Sequence, residues 1–168
     1  MLDREEARAR AATIQAIFLD VDGTLTDGGI YFFEDGRQAL RFHVRDGMGL
    51  VAARRAGLVV GIVSGRDVPA ARRRAEDLKL DEIHLGISDK KAAVEEILAR
   101  RGLAWERVCF IGDDVMDLPP MTAAGLGVAV ADAHPEVQAG ADWVARRGGG
   151  HGAVREIVDL ILAARGRD

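Results

Sequence analysis

Cysteine, proline and aromatic residues are scarce in this 168-residue chain, and long apolar runs are missing from it. With Cys109 as its one cysteine, the chain can form no internal disulfide, and the apolar neighbours of Cys109 predict a buried core thiol. No apolar stretch approaches the ~20 residues that span a bilayer. Residues 1–13 are charged and do not look like a signal sequence. We therefore expect no membrane association and a cytoplasmic location.

The net charge is also small, because 27 acidic residues and 23 basic ones give a total of −4. This balance gives no general reason to expect a nucleic-acid partner. Apolar residues make up 48% of the chain, an ordinary globular share. A self-sufficient core is feasible at this length, and we predict one domain over residues 1–168.

Apolar runs alternate with amphipathic stretches along the chain, and such runs are typical of strands buried on both faces of a parallel sheet. Strands are predicted at 14–19, 58–63, 82–85, 108–111, 127–130 and 142–145. Helices are predicted at 3–12, 46–56, 69–78, 89–101 and 153–164, with Ser88 as the N-cap of the fourth. The alternation predicts an α/β fold, a three-layer doubly wound parallel sheet.

One segment breaks the alternation. Residues 30–33, a turn that contains Gly36, and residues 38–42 predict a β-hairpin insertion over about 29–42. The hairpin stands where the first crossover helix should begin, and no separate cap domain is expected. The three glycines at 148–150 are interpreted as a flexible loop before the last helix.

Two carboxylates, Asp20 and Asp22, follow the first predicted strand and precede Gly23 and Thr24. Ligands of open α/β sheets bind at the carboxyl ends of the strands. Mg²⁺ prefers carboxylate and carbonyl oxygens and would relieve the repulsion between clustered carboxylates. Taken alone, the two aspartates are also consistent with helix capping or a turn, and the calcium-loop pattern they suggest lacks its final Glu.

Polar residues follow two further predicted strands. At the first, Ser64 and Gly65 offer a hydroxyl and turn N–H groups that can bind a phosphate oxygen, with Arg66 beside them. At the second, Lys90 opens a helix, where the helix dipole disfavours a cation unless it pairs with phosphate or carboxylate. Taken alone, these residues are also consistent with an ordinary turn and a solvated surface lysine.

A second group of carboxylates, Asp113, Asp114 and Asp117, follows the strand predicted at 108–111. Capping of the next helix by Asp113 or Asp114 is the alternative reading. Polar groups therefore stand at four strand ends in chain order, an arrangement that favours a phosphoryl-transfer site over four unrelated turns.

This ordered set resembles the haloacid dehalogenase-like superfamily of phosphohydrolases over nearly the whole chain. The most specific parts are Asp-Val-Asp-Gly-Thr at 20–24 and Gly-Asp-Asp-x-x-Asp at 112–117. The resemblance implies that Asp20 attacks phosphorus to form an aspartyl-phosphate, and that Asp22 acts as general acid and then general base.

The same resemblance implies roles for the other residues. Mg²⁺ would be bound by the Asp20 carboxylate, the Asp22 backbone carbonyl and the Asp113 carboxylate, with Asp114 or Asp117 supporting the site from nearby. Phosphoryl oxygens would be held by Ser64 and Lys90, and Thr24 and Gly65 are expected to contact the substrate.

Finer detail resembles the family of phosphatases that act on 3-deoxy-D-manno-octulosonate 8-phosphate (KDO 8-phosphate). It is carried by the hairpin, by Ser64-Gly65-Arg66 and by the glycine-rich segment before the last helix. This resemblance implies a homotetramer whose hairpins complete neighbouring sites, and a role in lipopolysaccharide precursor synthesis. Arg66 suits the carboxylate of a sugar acid. His151 is also expected at the substrate, although many relatives have Arg there.

Three other functions stay open on the sequence. Two are enzymatic: a phosphatase of the related ketodeoxynononate 9-phosphate, and a broad-range sugar phosphatase. The third is an idle regulatory domain, against which the intact set of Asp20, Asp22, Ser64, Lys90 and Asp113 argues.

Overall fold

The structure, a computed structural model, describes residues 2–166. All strands in this range belong either to one main sheet or to a β-hairpin. Residues 1, 167 and 168 of the predicted domain lie outside the described range. The strands are β1 Ala16–Leu19, β2 Thr26–Phe32, β3 Gln38–Phe42, β4 Val59–Ser64, β5 Glu82–Leu85, β6 Val108–Gly112, β7 Leu126–Ala129 and β8 Trp143–Val144. The helices are α1 Arg4–Ala11, α2 Val44–Arg55, α3 Pro69–Asp77, α4 Lys90–Arg101, α5 Leu118–Ala123, α6 Pro135–Gly140 and α7 Ala153–Ala164.

Strand β1 lies at the centre of a six-stranded parallel sheet with the order β5-β4-β1-β6-β7-β8. It pairs on both sides, so that Leu19 stands opposite Ile62 of β4 and Ile111 of β6. All four residues of β1 are buried, which explains its unbroken apolar sequence. The predicted doubly wound parallel sheet is confirmed.

The chain reverses its direction across the sheet after β5, because β6 returns to the other side of β1. Right-handed crossovers therefore place α2 and α3 on one face and α4, α5 and α6 on the other. Packing agrees for the second face, since α4 contacts α5, and α7 packs on α2. Strand β1 stands at the switch point, where ligands of such sheets bind.

The helix boundaries show which helix ends can be predicted from the local sequence. Helix α4 ends at Gly102, which is in the left-handed conformation at φ 64°, as glycine permits. The predicted N-cap Ser88 is wrong, because Asp89 takes that position and accepts the Ala92 N–H at 3.0 Å. The short helices α5 and α6 were not predicted, since each has only six residues and too little periodicity to be recognised.

The hairpin of β2 and β3 is antiparallel and lies outside the main sheet. It begins at Thr26, three residues before the predicted start at 29, with a register irregularity between Thr26 and Ile30. Four of its apolar residues are exposed: Ile30, Tyr31, Phe32 and Phe33. Within residues 2–166 the hairpin is the one addition large enough to cover the sheet edge, and these residues contain no separate cap domain. Of the helices in that range, none combines the length and the hydropathy that crossing a bilayer requires.

Candidate active site

Asp20 follows β1 directly and sits at the carboxyl edge of the sheet. Its N–H continues the strand pairing by donating to the Ile111 carbonyl at 3.0 Å. Asp20 is buried, with 9% of its side chain exposed, and its Oδ1 lies 2.9 Å from the Lys90 ammonium. A buried carboxylate at a central strand end, beside a cation, is suited to attack a phosphate that binds there.

Lys90 is the first residue of α4, and its side chain points into the protein, not into water. Its Nζ lies 2.6 Å from Asp117 Oδ1 in addition to its contact with Asp20. Burial by itself would lower the pKa of this ammonium, but the charges of Asp20 and Asp117 outweigh burial and raise it. Lys90 therefore stays charged, and the surface-lysine alternative is excluded by its burial.

Asp117 is fully buried and organises the loop after β6. Its Oδ2 accepts the N–H groups of Asp113 at 3.0 Å and Asp114 at 3.2 Å, while its Oδ1 contacts Lys90. Asp114 points away, with its carboxylate on the Val115 N–H at 2.6 Å, where it caps the short 3₁₀ turn. Asp117 thus supports the site through the loop and Lys90, and Asp114 contributes as a cap.

Oxygens of Asp20, Asp113 and Asp117 lie within 4.8 Å of one another, an arrangement that could hold a metal ion. Burial, followed by the charge of Asp117, raises the pKa of Asp20 to about 6. Burial, and after it the charges of Asp20 and Asp117, raise the pKa of Asp113 to about 7 despite a hydrogen bond from Thr24. The protein alone therefore carries more buried negative charge than Lys90 balances, and a hard divalent cation with oxygen ligands fits this donor set.

Gly23 and Thr24 hold Asp113 in place from the loop after β1. Gly23 has φ 83°, and a Cβ there would collide with the Asp113 carboxylate. The Thr24 hydroxyl donates to Asp113 Oδ1 at 2.8 Å, and the Thr24 side chain is fully buried. The structure places Thr24 on a carboxylate of the candidate metal site, whereas the predicted contact of Thr24 with substrate stays a prediction.

Ser64 and Gly65 end the neighbouring strand β4 at the same edge. The Ser64 side chain is buried, and its Oγ accepts the Arg66 N–H at 3.4 Å. Gly65 is exposed, and a Cβ there would meet only the Ile87 carbonyl, at 3.8 Å. The turn therefore leaves room for an anion beside its backbone.

Arg66 contacts Asp22 and the hairpin together. Its Nη1 lies 3.0 Å from Asp22 Oδ1 as an ion pair that is not aligned as a hydrogen bond, and its Nη2 donates to Gln38 Oε1 at 3.1 Å. One oxygen of the Asp22 carboxylate is thereby covered by a guanidinium that also contacts the hairpin. The Asp22 backbone carbonyl remains the predicted metal contact.

The glycine-rich loop packs on the loop that follows Asp20. Gly149 and Gly150 are buried, and Gly150 N–H donates to the Thr24 carbonyl at 3.1 Å. A Cβ on Gly149 would collide with the Gly23 carbonyl, so only glycine permits this approach. The predicted loop before the last helix is present, and close packing against backbone gives a reason for its glycines.

His151 lies at the base of the hairpin and is exposed. Its Nδ1 stands 2.6 Å from the Gly149 carbonyl oxygen, and its Nε2 stands 3.4 Å from Arg41 Nη1. Arg41 also donates to Asp27 Oδ2 at 3.0 Å. In the described structure His151 belongs to this hairpin contact and makes no contact with the acidic cluster, and its predicted role at the substrate is untested.

Known proteins are similar to this chain in sequence and in fold. A model of the haloacid dehalogenase-like hydrolase family matches residues 82–157. The 3-deoxy-D-manno-octulosonate 8-phosphate phosphatase KdsC of Escherichia coli is 41% identical over 162 residues, which cover 96% of this chain and 86% of that protein. The chain belongs to this family of haloacid dehalogenase-like phosphatases.

Solved structures of this phosphatase family have the same architecture. The Yersinia pestis 3-deoxy-D-manno-octulosonate 8-phosphate phosphatase matches with a TM-score of 0.95 and 42% identity, covering 97% of this chain and 88% of that chain. The Moraxella catarrhalis phosphatase of that name was solved with magnesium ion, phosphate ion and KDO. Its TM-score is 0.95 at 34% identity, over 97% of this chain and 94% of that chain. The predicted membership in the haloacid dehalogenase-like superfamily is confirmed.

Sequence reasoning missed three residues of this family member that shape the site from the hairpin side. Asp27 and Arg41 join the hairpin to the glycine-rich loop, and Gln38 holds Arg66. Asp27 could have been noticed, because it lies within the motif that begins at Asp20. Gln38 and Arg41 carry no such signal, since any exposed strand has polar residues of this kind.

Proposed function

We propose that this protein is a Mg²⁺-dependent phosphatase that converts KDO 8-phosphate to KDO and phosphate. The observation that carries the proposal is the buried Asp20 carboxylate at the end of β1, between Lys90 and the Asp113 carboxylate. A relative 41% identical is a KDO 8-phosphate phosphatase, and the Moraxella catarrhalis phosphatase contains magnesium, phosphate and KDO. A regulatory domain without activity would not need this combination.

In the first half of the reaction an Asp20 oxygen attacks the phosphorus of the substrate. A bond forms between that oxygen and phosphorus, and the bond from phosphorus to the C8 oxygen of the sugar breaks. Asp22 donates a proton to the departing oxygen, so that it leaves as an alcohol. Asp22 suits this role because it lies two residues beyond Asp20 and is only partly buried, at 23% side-chain exposure.

In the second half water attacks the phosphorus of the aspartyl-phosphate. Asp22, now ionised, takes a proton from the water while the new bond from oxygen to phosphorus forms. The bond between phosphorus and Asp20 breaks, and inorganic phosphate and the free carboxylate result. The two halves leave both aspartates in their starting protonation states.

Mg²⁺ would be held by the Asp20 carboxylate, the Asp22 backbone carbonyl and the Asp113 carboxylate. When bound, it supplies positive charge that stabilises the phosphoryl oxygens and lets an anionic nucleophile approach an anionic ester. Asp117 is less available as a ligand, because Lys90 and two backbone N–H groups already occupy its oxygens. Asp117 and Asp114 therefore support the site from the surrounding loop.

Lys90 and Ser64 bind the oxygens of the transferred phosphoryl group. The Lys90 ammonium lies 2.9 Å from Asp20 and is buried, so its charge acts at short range on any phosphate that Asp20 attacks. The Ser64 hydroxyl and the Gly65 N–H add donors from the neighbouring strand end. Thr24 contributes through Asp113, whose carboxylate accepts its hydroxyl.

The sugar acid lies on the hairpin side of the site, where Arg66 and His151 are available. Arg66 matches the carboxylate through its planar fork of donors. The hairpin exposes several large apolar side chains side by side, and such a patch is typical of a surface that binds another chain. This patch supports a homotetramer joined through the hairpins. In this arrangement each chain forms one domain over 1–168 with its hairpin insertion, and a neighbouring chain helps to complete its site.

A panel of sugar phosphates tests the substrate. Phosphate release is measured with Mg²⁺ on KDO 8-phosphate, ketodeoxynononate 9-phosphate, arabinose 5-phosphate and glucose 6-phosphate. We expect kcat/KM on KDO 8-phosphate to exceed that on arabinose 5-phosphate and glucose 6-phosphate, which have no carboxylate, by about tenfold or more, since Arg66 recognises a carboxylate. Equal turnover of all four would contradict the specific substrate, and a preference for the nine-carbon acid would favour the sister activity.

A further inference from the structure

The ion pair between Arg66 and Asp22 occupies an atom that the proposed reaction needs. Arg66 Nη1 and Asp22 Oδ1 are 3.0 Å apart, and both atoms are shielded from solvent with no hydrogen-bond partner. Arg66 is steadied by Gln38 on the hairpin at 3.1 Å and by Ser64 through its own backbone at 3.4 Å. One carboxylate oxygen of the candidate acid and base is thus covered by a guanidinium.

A guanidinium cannot replace Asp22 in the reaction. It holds its proton in proteins at all working pH values, so it can neither protonate an alcohol nor accept a proton from water. While Arg66 covers Asp22 Oδ1, that oxygen is blocked from a departing alcohol and from the attacking water. Proton transfer through Oδ1 therefore requires Arg66 to move away.

A cavity of about 620 Å³ lies beside Arg66, between the hairpin turn and the start of α3. Its lining includes Arg37, Gln38, Arg66 and Pro69. Asp67 also lines it, but Arg72 already pairs with Asp67 at 3.1 Å. Arg37 pairs with Asp35 at 2.7 Å, so the guanidinium on the lining that a ligand could engage is that of Arg66. The cavity has the size of a small-molecule site, and Arg66 suits it to the anionic end of a sugar acid.

The ion pair is weak enough for Arg66 to exchange the Asp22 carboxylate for that of a substrate. The side chains of Arg66 and Asp22 are 36% and 23% exposed, whereas those of Lys90 and Asp117 are 5% and 0% exposed. The two contacting atoms are shielded, but the side chains are partly exposed and the pair is poorly aligned, and such a pair is weak. A carboxylate that approaches the Arg66 fork in a bidentate manner would make the better contact.

We propose that Arg66 is a clamp on Asp22 which the carboxylate of the substrate releases. The inference rests on the proposed phosphatase function and deepens it. A sugar acid phosphate places its phosphate at Asp20 and its carboxylate on Arg66, and Asp22 is then free to transfer protons. A sugar phosphate without a carboxylate binds through its phosphate alone and leaves Asp22 clamped, so it is discriminated in kcat as well as in KM.

The kinetics of Arg66→Ala test the clamp on two substrates, KDO 8-phosphate and arabinose 5-phosphate, which has no carboxylate. We expect kcat/KM on KDO 8-phosphate to fall about tenfold or more, and kcat on arabinose 5-phosphate to rise about threefold or more. Arg73→Ala is the control, because Arg73 lies on α3 nearby but pairs with Asp77 on the exposed side of that helix, away from the cavity lining. It should leave both values within about twofold of the wild type.

An unchanged or lower kcat of Arg66→Ala on arabinose 5-phosphate would overturn the clamp, whatever happens on KDO 8-phosphate. A second readout does not depend on the variant. In a crystal structure of the wild type with KDO bound, Arg66 should contact the KDO carboxylate and lie more than 4 Å from Asp22, and an intact pair would refute the proposal. The wild-type preference between the two substrates tests the phosphatase function separately.

Discussion

The Lys90 ammonium lies 2.6 Å from the Asp117 carboxylate, and both side chains are buried. The pair joins the start of α4 to the loop after β6, which are 27 residues apart in sequence. It also brings the ammonium within 2.9 Å of Asp20. The stability of this region and the proposed catalysis therefore involve the same lysine.

Replacing Lys90 with Met should destabilise the metal-free protein by about 3 kcal/mol, because loss of one partner leaves a buried carboxylate without its counter-charge. Urea unfolding in EDTA measures this loss, and added Mg²⁺ should recover part of it. Lys91→Met is the control, since Lys91 pairs with Glu95 on the helix surface and should cost less than about 0.5 kcal/mol. Equal losses in the two variants would refute the central role of Lys90.

The stability of the metal-free protein should fall as pH rises. Burial raises the pKa of Asp113 to about 7 and that of Asp20 to about 6, from 3.8 in an unperturbed chain. The folded state therefore binds more protons than the unfolded state between about pH 4 and 7, and it loses stability across that window. Above pH 7 the loss is complete, and Mg²⁺ should bind most tightly there because no proton competes for its ligands.

Unfolding free energies measured in EDTA and in Mg²⁺ between about pH 5 and 8 check this expectation. In Asp113→Asn the upper part of the pH dependence should disappear, because the amide has no proton to lose. If wild type and Asp113→Asn follow the same curve in EDTA, the raised pKa of Asp113 is wrong.

Gly23→Ala should abolish most of the activity, whereas Gly57→Ala should not. Both glycines have φ 83°, so each alanine carries a similar backbone strain of about 1 kcal/mol. Only at Gly23 does the new Cβ also collide with the Asp113 carboxylate, since nothing lies within 4 Å at Gly57. Mg²⁺ titration followed by calorimetry should show weakened binding in Gly23→Ala alone. Normal Mg²⁺ affinity in that variant would exclude Asp113 as a metal ligand.

Phe32→Ser should dissociate the proposed tetramer. Phe32 is 71% exposed in the single chain, and an apolar side chain of that size favours burial against a second copy. Light scattering should give the mass of four chains for the wild type and a smaller mass for the variant. Glu34→Ser is the control, because Glu34 lies on the same hairpin and is already polar. This variant should keep the wild-type mass. A wild-type monomer with full activity would contradict the shared site.

Much of the fold follows from sequence because its signals are local. Strand β5 and helix α7 have the predicted bounds, since apolar runs and amphipathic periods mark them clearly. Asp20 and Asp113 meet as expected, because parallel strands place their carboxyl ends at one edge of the sheet. Here chain order and sheet topology together determine the position of the residues.

Contacts between distant segments could not be predicted in this way. The approach of Gly149 to Gly23 joins loops more than a hundred residues apart, and three consecutive glycines look the same in a flexible linker. The pairing of Arg66 with Asp22 depends on side-chain torsions and on Gln38 in the hairpin. Buried Asp46 is a similar case, since it accepts the Arg155 N–H at 2.8 Å at the start of α7, and no local pattern indicates that partner.

The nucleophile can be identified by trapping the aspartyl-phosphate. The enzyme is mixed with Mg²⁺ and KDO 8-phosphate, quenched during turnover and treated with borohydride, which reduces an aspartyl-phosphate to homoserine. Mass spectrometry of the digested protein should find homoserine at Asp20, and the Asp20→Asn variant should show neither this product nor phosphate release. Turnover of KDO 8-phosphate with homoserine at another aspartate, or with none anywhere, would contradict the account.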